Sequence, residues 1–384
     1  MSGFVLHASG NDAHRSQEGE RVVMETSAAR VSAIDEDLGE RYYKGDEALE
    51  QRLTQEIIAV IGEFIDRRFE EGRRPALRDA HAKDTGCVKA IFRVNKDLPG
   101  ELRRGVFSTE REYDAWIRFS DGNSEVRSSR WPDARGMAIK LMGVNGDKLL
   151  DETDSQDFIM ANHPAFFIDD LQEYLDTLKV FHRGRTLQQL LSVLKLKPHE
   201  IPLAIRVNFT LITNPLFSQY WSMTPYRLGA TAGERMAIKF TAKPRLANTA
   251  NFLSKAATYL LPGFSLKKEM AKILAAREMW FDFYIQRFVD ERSTPIENSR
   301  KIWTEDLSRP EPVAKIIIPC QDVISDERDR FCENLSFNPW HGLAEHKPLG
   351  AVNRVRKQVY LEISRQRHRL NFQPHTQPTG LETV

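Results

Sequence analysis

From Pro75 onward the chain stops repeating apolar residues at helical spacing and breaks into short apolar runs separated by turn residues. This change of period constrains the fold more than any other feature. Residues 87–94, 115–119, 137–142, 157–160 and 166–168 are strand-length runs punctuated by Gly, Pro, Asn and Asp. Runs of the same kind recur at 236–242, 280–287 and 314–318. Short strands cannot each bury an apolar face alone, and an antiparallel sheet closed on itself removes the exposed edges. Helical stretches stand around them. In 46–69, Leu49, Leu53, Ile57, Ile61, Phe64 and Ile65 share one face, charges fall between them, and Glu71-Gly72 ends the run. The same period appears at 170–181, at 186–196, and from 248 to about 276 with a break at Pro262-Gly263. A last helix is predicted over about 352–370, behind Pro348-Leu349-Gly350. The predicted class is α+β, an antiparallel β-barrel with surrounding helices.

Lys plus Arg number 55 and Asp plus Glu 54, a balance without the basic excess that nucleic-acid binding needs, so no nucleic-acid partner is expected. No apolar run reaches the roughly 18 residues of a membrane span, and residues 1–21 lack the apolar core of a secretory signal. Cys87, Cys320 and Cys332 are odd in number and widely spaced; they form no disulfide framework and no CxxC pair. A reducing, cytoplasmic setting is the expectation. Residues 1–40 are polar and charged and read as a disordered leader, whereas 41–384 carry no Pro-, Gly- or Ser-rich linker and read as one domain.

Within the last predicted helix, Arg356 and Tyr360 are four residues apart and therefore stack on one face. A guanidinium against a phenol that ionises near pH ~10 favours the phenolate, a hard, electron-donating ligand for a ferric ion. Alone, such a pair is usually a surface Arg lying over a ring. His81, in Arg78-Asp79-Ala80-His81-Ala82-Lys83, is equally ordinary when taken singly. A neutral imidazole can nevertheless take a proton from one oxygen of a peroxide and hand it to the other. His341 and His346 lack the spacing of a helical metal pair and read as satisfied loop histidines. Cys87 reads as a small buried hydrophobe. Residues 251–266 are amphipathic and read as core packing, with a lipid-facing surface or a substrate entrance as alternatives.

Together, these residues stand in a recognisable order. His81-Ala82-Lys83 resembles the distal-histidine segment V-H-A-K-G of the haem catalases. Ile117-Arg118-Phe119-Ser120 and Asp133-Ala134-Arg135-Gly136-Met137-Ala138-Ile139-Lys140 are similar to that family's V-R-F-S and D-P-R-G-F-A-V-K-F. Asn162-His163-Pro164-Ala165-Phe166-Phe167-Ile168 resembles N-T-P-x-F-F-I. Phe337-Asn338-Pro339, Arg356-x-x-x-Tyr360 and Arg367-His368-Arg369-Leu370 resemble the proximal F-x-P, R-x-x-x-Y and R-H-R-L. The resemblance implies haem b held between a barrel and a C-terminal helix carrying the haem ligand, so that 41–384 become a catalase-like haem domain. It makes His81 the distal acid–base, Ser120 its hydrogen-bond partner and Tyr360 the iron ligand. Arg356 would hold the phenolate, Arg78 and Arg118 would contact the haem propionates, and Tyr174 would stack on the ring.

Several departures point toward compact relatives of the large catalases. An ungapped match puts Ala161 where catalases carry the distal asparagine, and Asn162 is expected to take that role through a one-residue backbone shift. Ala80 precedes the distal histidine in place of Val, and Arg367-His368-Arg369 sits farther from the tyrosine. The expected activity is decomposition of hydrogen peroxide or organic hydroperoxides, of catalase or peroxidase type. The alternatives are rearrangement of a lipid hydroperoxide, as in allene oxide synthase, and haem binding without turnover. The expected partner is a small peroxide or a lipid hydroperoxide, and a homo-oligomer is compatible with the resemblance.

Overall fold

A computed structural model of the chain describes residues 34–131, 133–150, 154–183, 212–246, 257–374 and 377–384. Helix α1 (Glu47–Glu70) begins where the Asp46 carboxylate accepts from the Leu49 amide at 3.0 Å. Acidic Glu47 and Glu50 occupy its first turn and basic Arg67 and Arg68 its last, matching the helix dipole. Its buried face, Leu53, Ile57, Val60, Ile61, Phe64 and Ile65, is the stripe the sequence predicts.

Strands β1 (Asp84–Val94), β2 (Glu112–Asp121), β3 (Arg135–Met142) and β4 (Ser155–Ala161) make an antiparallel meander. Two short strands follow, β5 (Tyr220–Trp221) and β6 (Tyr226–Leu228), then β7 (Met236–Pro244), β8 (Met279–Arg287) and β9 (Glu311–Ile318), with β9 pairing back onto β1. Trp221 pairs with Ala161 of β4, while Tyr220 and Trp221 pair with Ala242 and Thr241 of β7. Among the described residues eight strands thus close into a barrel, and β6 pairs with β7 beside the seam. Alternation sends Phe92, Phe119, Phe158, Phe240, Phe281 and Phe283 inward. Phe92 stacks on Phe158 at 5.7 Å and meets Phe283 edge-on at 5.1 Å. Each such ring pair contributes about 0.5–1.5 kcal/mol beyond its buried area.

Outside the barrel, α2 (Leu171–Arg183) and α5 (Ala351–Leu370) pack with α1 around a second apolar cluster that includes Leu175, Leu178, Val355 and Ile363. Gln366 on α5 donates to the Gly62 carbonyl at 3.0 Å, and a Cβ at Gly62 would come 3.0 Å from the Gln366 Oε1. Glycine permits that approach. Helix α3 (Leu266–Ala276) follows the predicted break, with Gly263 at φ 71°. Helix α4 (Asp326–Asn334) is capped by the Ser325 hydroxyl, which accepts from Arg328 N at 3.0 Å. None of the described helices is long and apolar enough to cross a membrane.

The structure departs from the sequence reading in two places, and a third lies beyond what it describes. Residues 166–168 are not a strand: Phe167 is exposed, Phe166 N donates to the Ser299 carbonyl, and the chain bends after Pro164. The helix predicted over 186–196, and 248–256 of the next one, lie outside the described residues. Asp35 and Glu40, within the stretch expected to be a leader, are buried. Glu40 bonds to Lys347 (3.1 Å), to Arg354 (2.7 Å) and to the Gly350 amide (2.8 Å), so this segment clamps the start of α5. The loop leading to α5 is tied to the barrel by a buried Asp157. That carboxylate accepts from Lys140 at 2.7 Å and from Asn338 N at 2.9 Å, and meets His341 Nδ1 at 2.9 Å.

Candidate functional site

His81 sits just before β1 with φ 57°, a left-handed conformation that costs a non-glycine residue about 1 kcal/mol or more. Three contacts impose it. Its amide donates to Gly122 O at 3.1 Å, Ala82 N donates to Asn123 O at 3.2 Å, and the His81 carbonyl accepts from Arg118 at 2.9 Å. The imidazole is thereby laid against the barrel's outer wall, where Nδ1 meets Ser120 Oγ at 2.9 Å. Directly beneath is Gly136: a Cβ there would fall 2.7 Å from His81 Cε1 and Nδ1 and 2.7 Å from Ser120 Oγ.

Register explains the surface under the ring. Ser120, Gly136 and Ala161 face one another across β2, β3 and β4, and Arg118, Ala138 and Ile159 form the next outward-facing row. Gly136, Ala138 and Ala161 leave a shallow floor of small residues. Burial, and then the charges of Arg118, Arg356, Arg78 and Arg135, pull the His81 imidazole down to about 4, which keeps it neutral near pH 7.

On α5, Arg356 donates to the Tyr360 hydroxyl at 3.2 Å and lies 5.1 Å from the ring centroid. Its other nitrogen donates to Asn353 Oδ1 at 3.0 Å, which fixes the fork. Burial opposes the Arg356 charge, but the Tyr360 and Tyr226 oxygens outweigh it and hold its proton more firmly than usual. The Arg356 charge is among those that act on His81. Tyr174 on α2 joins them. Burial pushes its hydroxyl up, and Asp79 and Tyr360 push it further.

Arg78, Arg118 and Arg367 converge on Glu333 at the end of α4. Arg78 meets the carboxylate at 2.9 Å and Arg118 at 4.0 Å, and Arg367 bonds to its other oxygen. Burial lowers Arg78 to about 9; Glu333 works against that, and the neighbouring Arg118 and Arg367 add to it. Arg118 Nε is buried with no hydrogen-bond partner. The cluster is short of negative charge by more than one carboxylate.

Of the residues singled out in the sequence, His81, Ser120, Arg78, Arg118, Tyr174, Arg356 and Tyr360 are brought together. Asn162 is not in the same position. Its Oδ1 accepts from Arg135 N at 2.6 Å and its own amide donates to Arg135 O at 2.9 Å, so it closes the end of the β3–β4 ladder. Ala161 is the residue that completes the row beside His81. Arg367 and Glu333 went unassigned. Arg367 is seven residues beyond Tyr360 and shares its helix face, a readable signal, whereas nothing local marks Glu333.

No protein-family model matches the sequence, and no curated protein is significantly similar to it. Solved structures are. A fungal catalase superposes with TM-score 0.62 at 16% identity, covering 79% of this chain and 61% of that one. Catalase A from Saccharomyces cerevisiae gives TM-score 0.63 at 16% identity, covering 80% and 65%. The fold is a catalase fold. A bacterial catalase agrees, with TM-score 0.60 at 14% identity and coverage of 83% and 63%. The chain therefore spans less than two thirds of the length of each of these catalases. Haem, the group implied by a catalase fold, meets suitable residues here. The outward row of Gly136, Ala138 and Ala161 presents only small side chains, Tyr360 offers a phenol oxygen, and the under-neutralised arginine cluster suits carboxylates.

Proposed function

We propose that this chain holds haem b between the outer wall of its barrel and α5, and uses it to break the O–O bond of hydroperoxides. The observation that carries this reading is a neutral, buried imidazole fixed over Gly136 and coupled to the Arg356–Tyr360 pair. Haem, when bound, supplies an iron centre able to accept an oxygen atom and two oxidising equivalents from the peroxide. Tyr360 would be its ligand, with Arg356 steadying the phenol oxygen, and Arg78, Arg118 and Arg367 would take the propionates in charge-assisted bonds.

His81 performs the proton work. With Ser120 Oγ accepting from Nδ1–H, the Nε2 lone pair is left to take the proton from the inner peroxide oxygen. The same nitrogen returns it to the outer oxygen, which leaves as water or as an alcohol. Ser120 holds the tautomer and Gly136 the ring position.

A second reading, rearrangement of a lipid hydroperoxide, draws on Ala161. A methyl group beside His81 provides no amide donor to orient a second small peroxide. Oxygen release from hydrogen peroxide supports the first reading, and an isomeric product from a fatty-acid hydroperoxide supports the second. The test common to both is the absorption spectrum of the haem-loaded protein, wild type beside Tyr360→Phe, with turnover measured in His81→Ala. An unchanged spectrum on loss of the phenol, or undiminished turnover without the imidazole, refutes the proposal. A tyrosinate spectrum without turnover of either peroxide would leave a haem-binding protein.

A further inference from the structure

We infer that the loop after β2 and the turn before α3 together form a docking surface for an anionic lipid bilayer. Trp131, Leu260 and Leu261 are 61%, 80% and 55% exposed, and Arg130 on the first loop donates to the Leu261 carbonyl on the second at 2.5 Å. Scattered exposed apolar residues are ordinary, but a tryptophan and a leucine pair on two joined loops are not.

The leucine turn is built to stay folded at an interface. Leu261 N donates to Thr258 O and Phe264 N to Leu261 O, so these amides are already satisfied. Beneath the tip, Tyr259 stacks on Phe264 at 4.8 Å and its hydroxyl donates to Ile212 O at 2.6 Å. The two leucines are thus presented on a braced support.

Charge selects the occupant. Segments 126–131 and 257–268 contain no Asp or Glu, and their Arg127, Arg130 and Lys268 are exposed, with Arg130 reaching the Leu261 carbonyl. Neighbouring Glu125 is committed to Arg68 and Arg73. In a chain whose net charge is only +1, this is a local cationic rim around an apolar centre. A second copy would bring the same cations against themselves. Anionic phospholipid satisfies both features, with apolar side chains entering the interface and cations meeting headgroups.

The surface is continuous with the site. The loop that carries Trp131 also supplies the carbonyl of Asn123 to Ala82 N, and Arg127 O accepts from Lys83 Nζ at 2.7 Å. Docking there brings the His81 segment to the membrane, which suits a lipid hydroperoxide as substrate. That last consequence rests on the proposed function; the docking itself does not.

Sedimentation with vesicles of phosphatidylcholine alone, or mixed with phosphatidylglycerol, tests the inference on the full chain. Binding is expected only to the anionic vesicles, and it should be lost in about 1 M salt, where the Debye length is about 3 Å. The combined variant Trp131→Ser/Leu260→Ser/Leu261→Ser should partition roughly tenfold or more weakly. Arg127→Gln/Arg130→Gln should also bind more weakly, with unchanged melting temperature in both. His81→Ala should bind vesicles as wild type does even if it loses turnover, which separates this inference from the catalytic reading. Absence of vesicle binding, equal binding to phosphatidylcholine, or wild-type binding by the triple variant overturns it, as does concentration-dependent dimerisation abolished by the same three substitutions.

Discussion

Lowering the pH from 7 to 5 should barely reduce peroxide turnover. His81 is pulled from an ordinary 6.5 to about 4 by burial and by Arg118, Arg356, Arg78 and Arg135. At pH 5 a group with a pKa of about 4 is roughly 90% neutral, whereas an ordinary histidine is only about 3% neutral, a difference of about thirtyfold in available base. Linkage has the same origin. The unfolded chain takes up the His81 proton near 6.5 and the folded chain only near 4, so the folded state loses stability as pH falls through that window. The full penalty, about 2.5 units at 1.36 kcal/mol each, is about 3 kcal/mol and is complete below about pH 4. His346, lowered to about 3 mainly by burial, adds a similar slope, so the His81 part must be isolated by difference. The assay is a pH–rate profile of the haem-loaded protein with urea melts of wild type and His81→Asn at pH 5 and 7. The wild type should lose more stability than the variant on acidification. An acid limb centred near 6.5, or parallel stability losses in the two proteins, would refute the electrostatic reasoning.

Gly136→Ala should lower turnover about a hundredfold while retaining the barrel, because the new methyl displaces the imidazole by a few tenths of an ångström or more. Wild-type turnover in that variant counts against the ring position described. Ala161→Asn should raise oxygen release from hydrogen peroxide by supplying the missing amide donor beside His81; no change would remove the argument from Ala161. Glu333→Gln should destabilise the haem-free protein by about 3 kcal/mol, since two buried guanidiniums and the half-buried Arg78 then lose the carboxylate they share. Added haemin should narrow the gap in thermal melts, and equal gaps with and without haemin would mean the cluster does not receive propionates.

Legibility of the fold followed the length of the repeating unit. Strands of seven or more residues, such as β1 to β4, alternate clearly enough to be read. Tyr220–Trp221 and Tyr226–Leu228 are too short to display any period, although the first closes the barrel. Helix α4 escaped because Phe331 and Cys332 are nearly its whole apolar content, and its existence rests on the Ser325 cap and on packing under Trp116. Of the candidate site, two pairings were legible in the motifs, His81 with Ser120 and Arg356 with Tyr360. At Asn162 one residue of register decides everything, since successive side chains on a strand face opposite ways. Glu333 illustrates the converse case: its meaning depends on Arg78 and Arg118, more than two hundred residues away in sequence, and no local pattern announces it.

The two-residue strand that completes the barrel bonds to Ala161 on one side and to Thr241 and Ala242 on the other. Among the described residues, a cylinder fastened elsewhere by longer ladders therefore has a brief joint here, and that joint borders the shelf on which the imidazole rests. Thermal opening of a closed sheet starts where the fewest bonds must break together. The wall beside the shelf is consequently where the closed sheet should open first, while the phenylalanine interior remains shut.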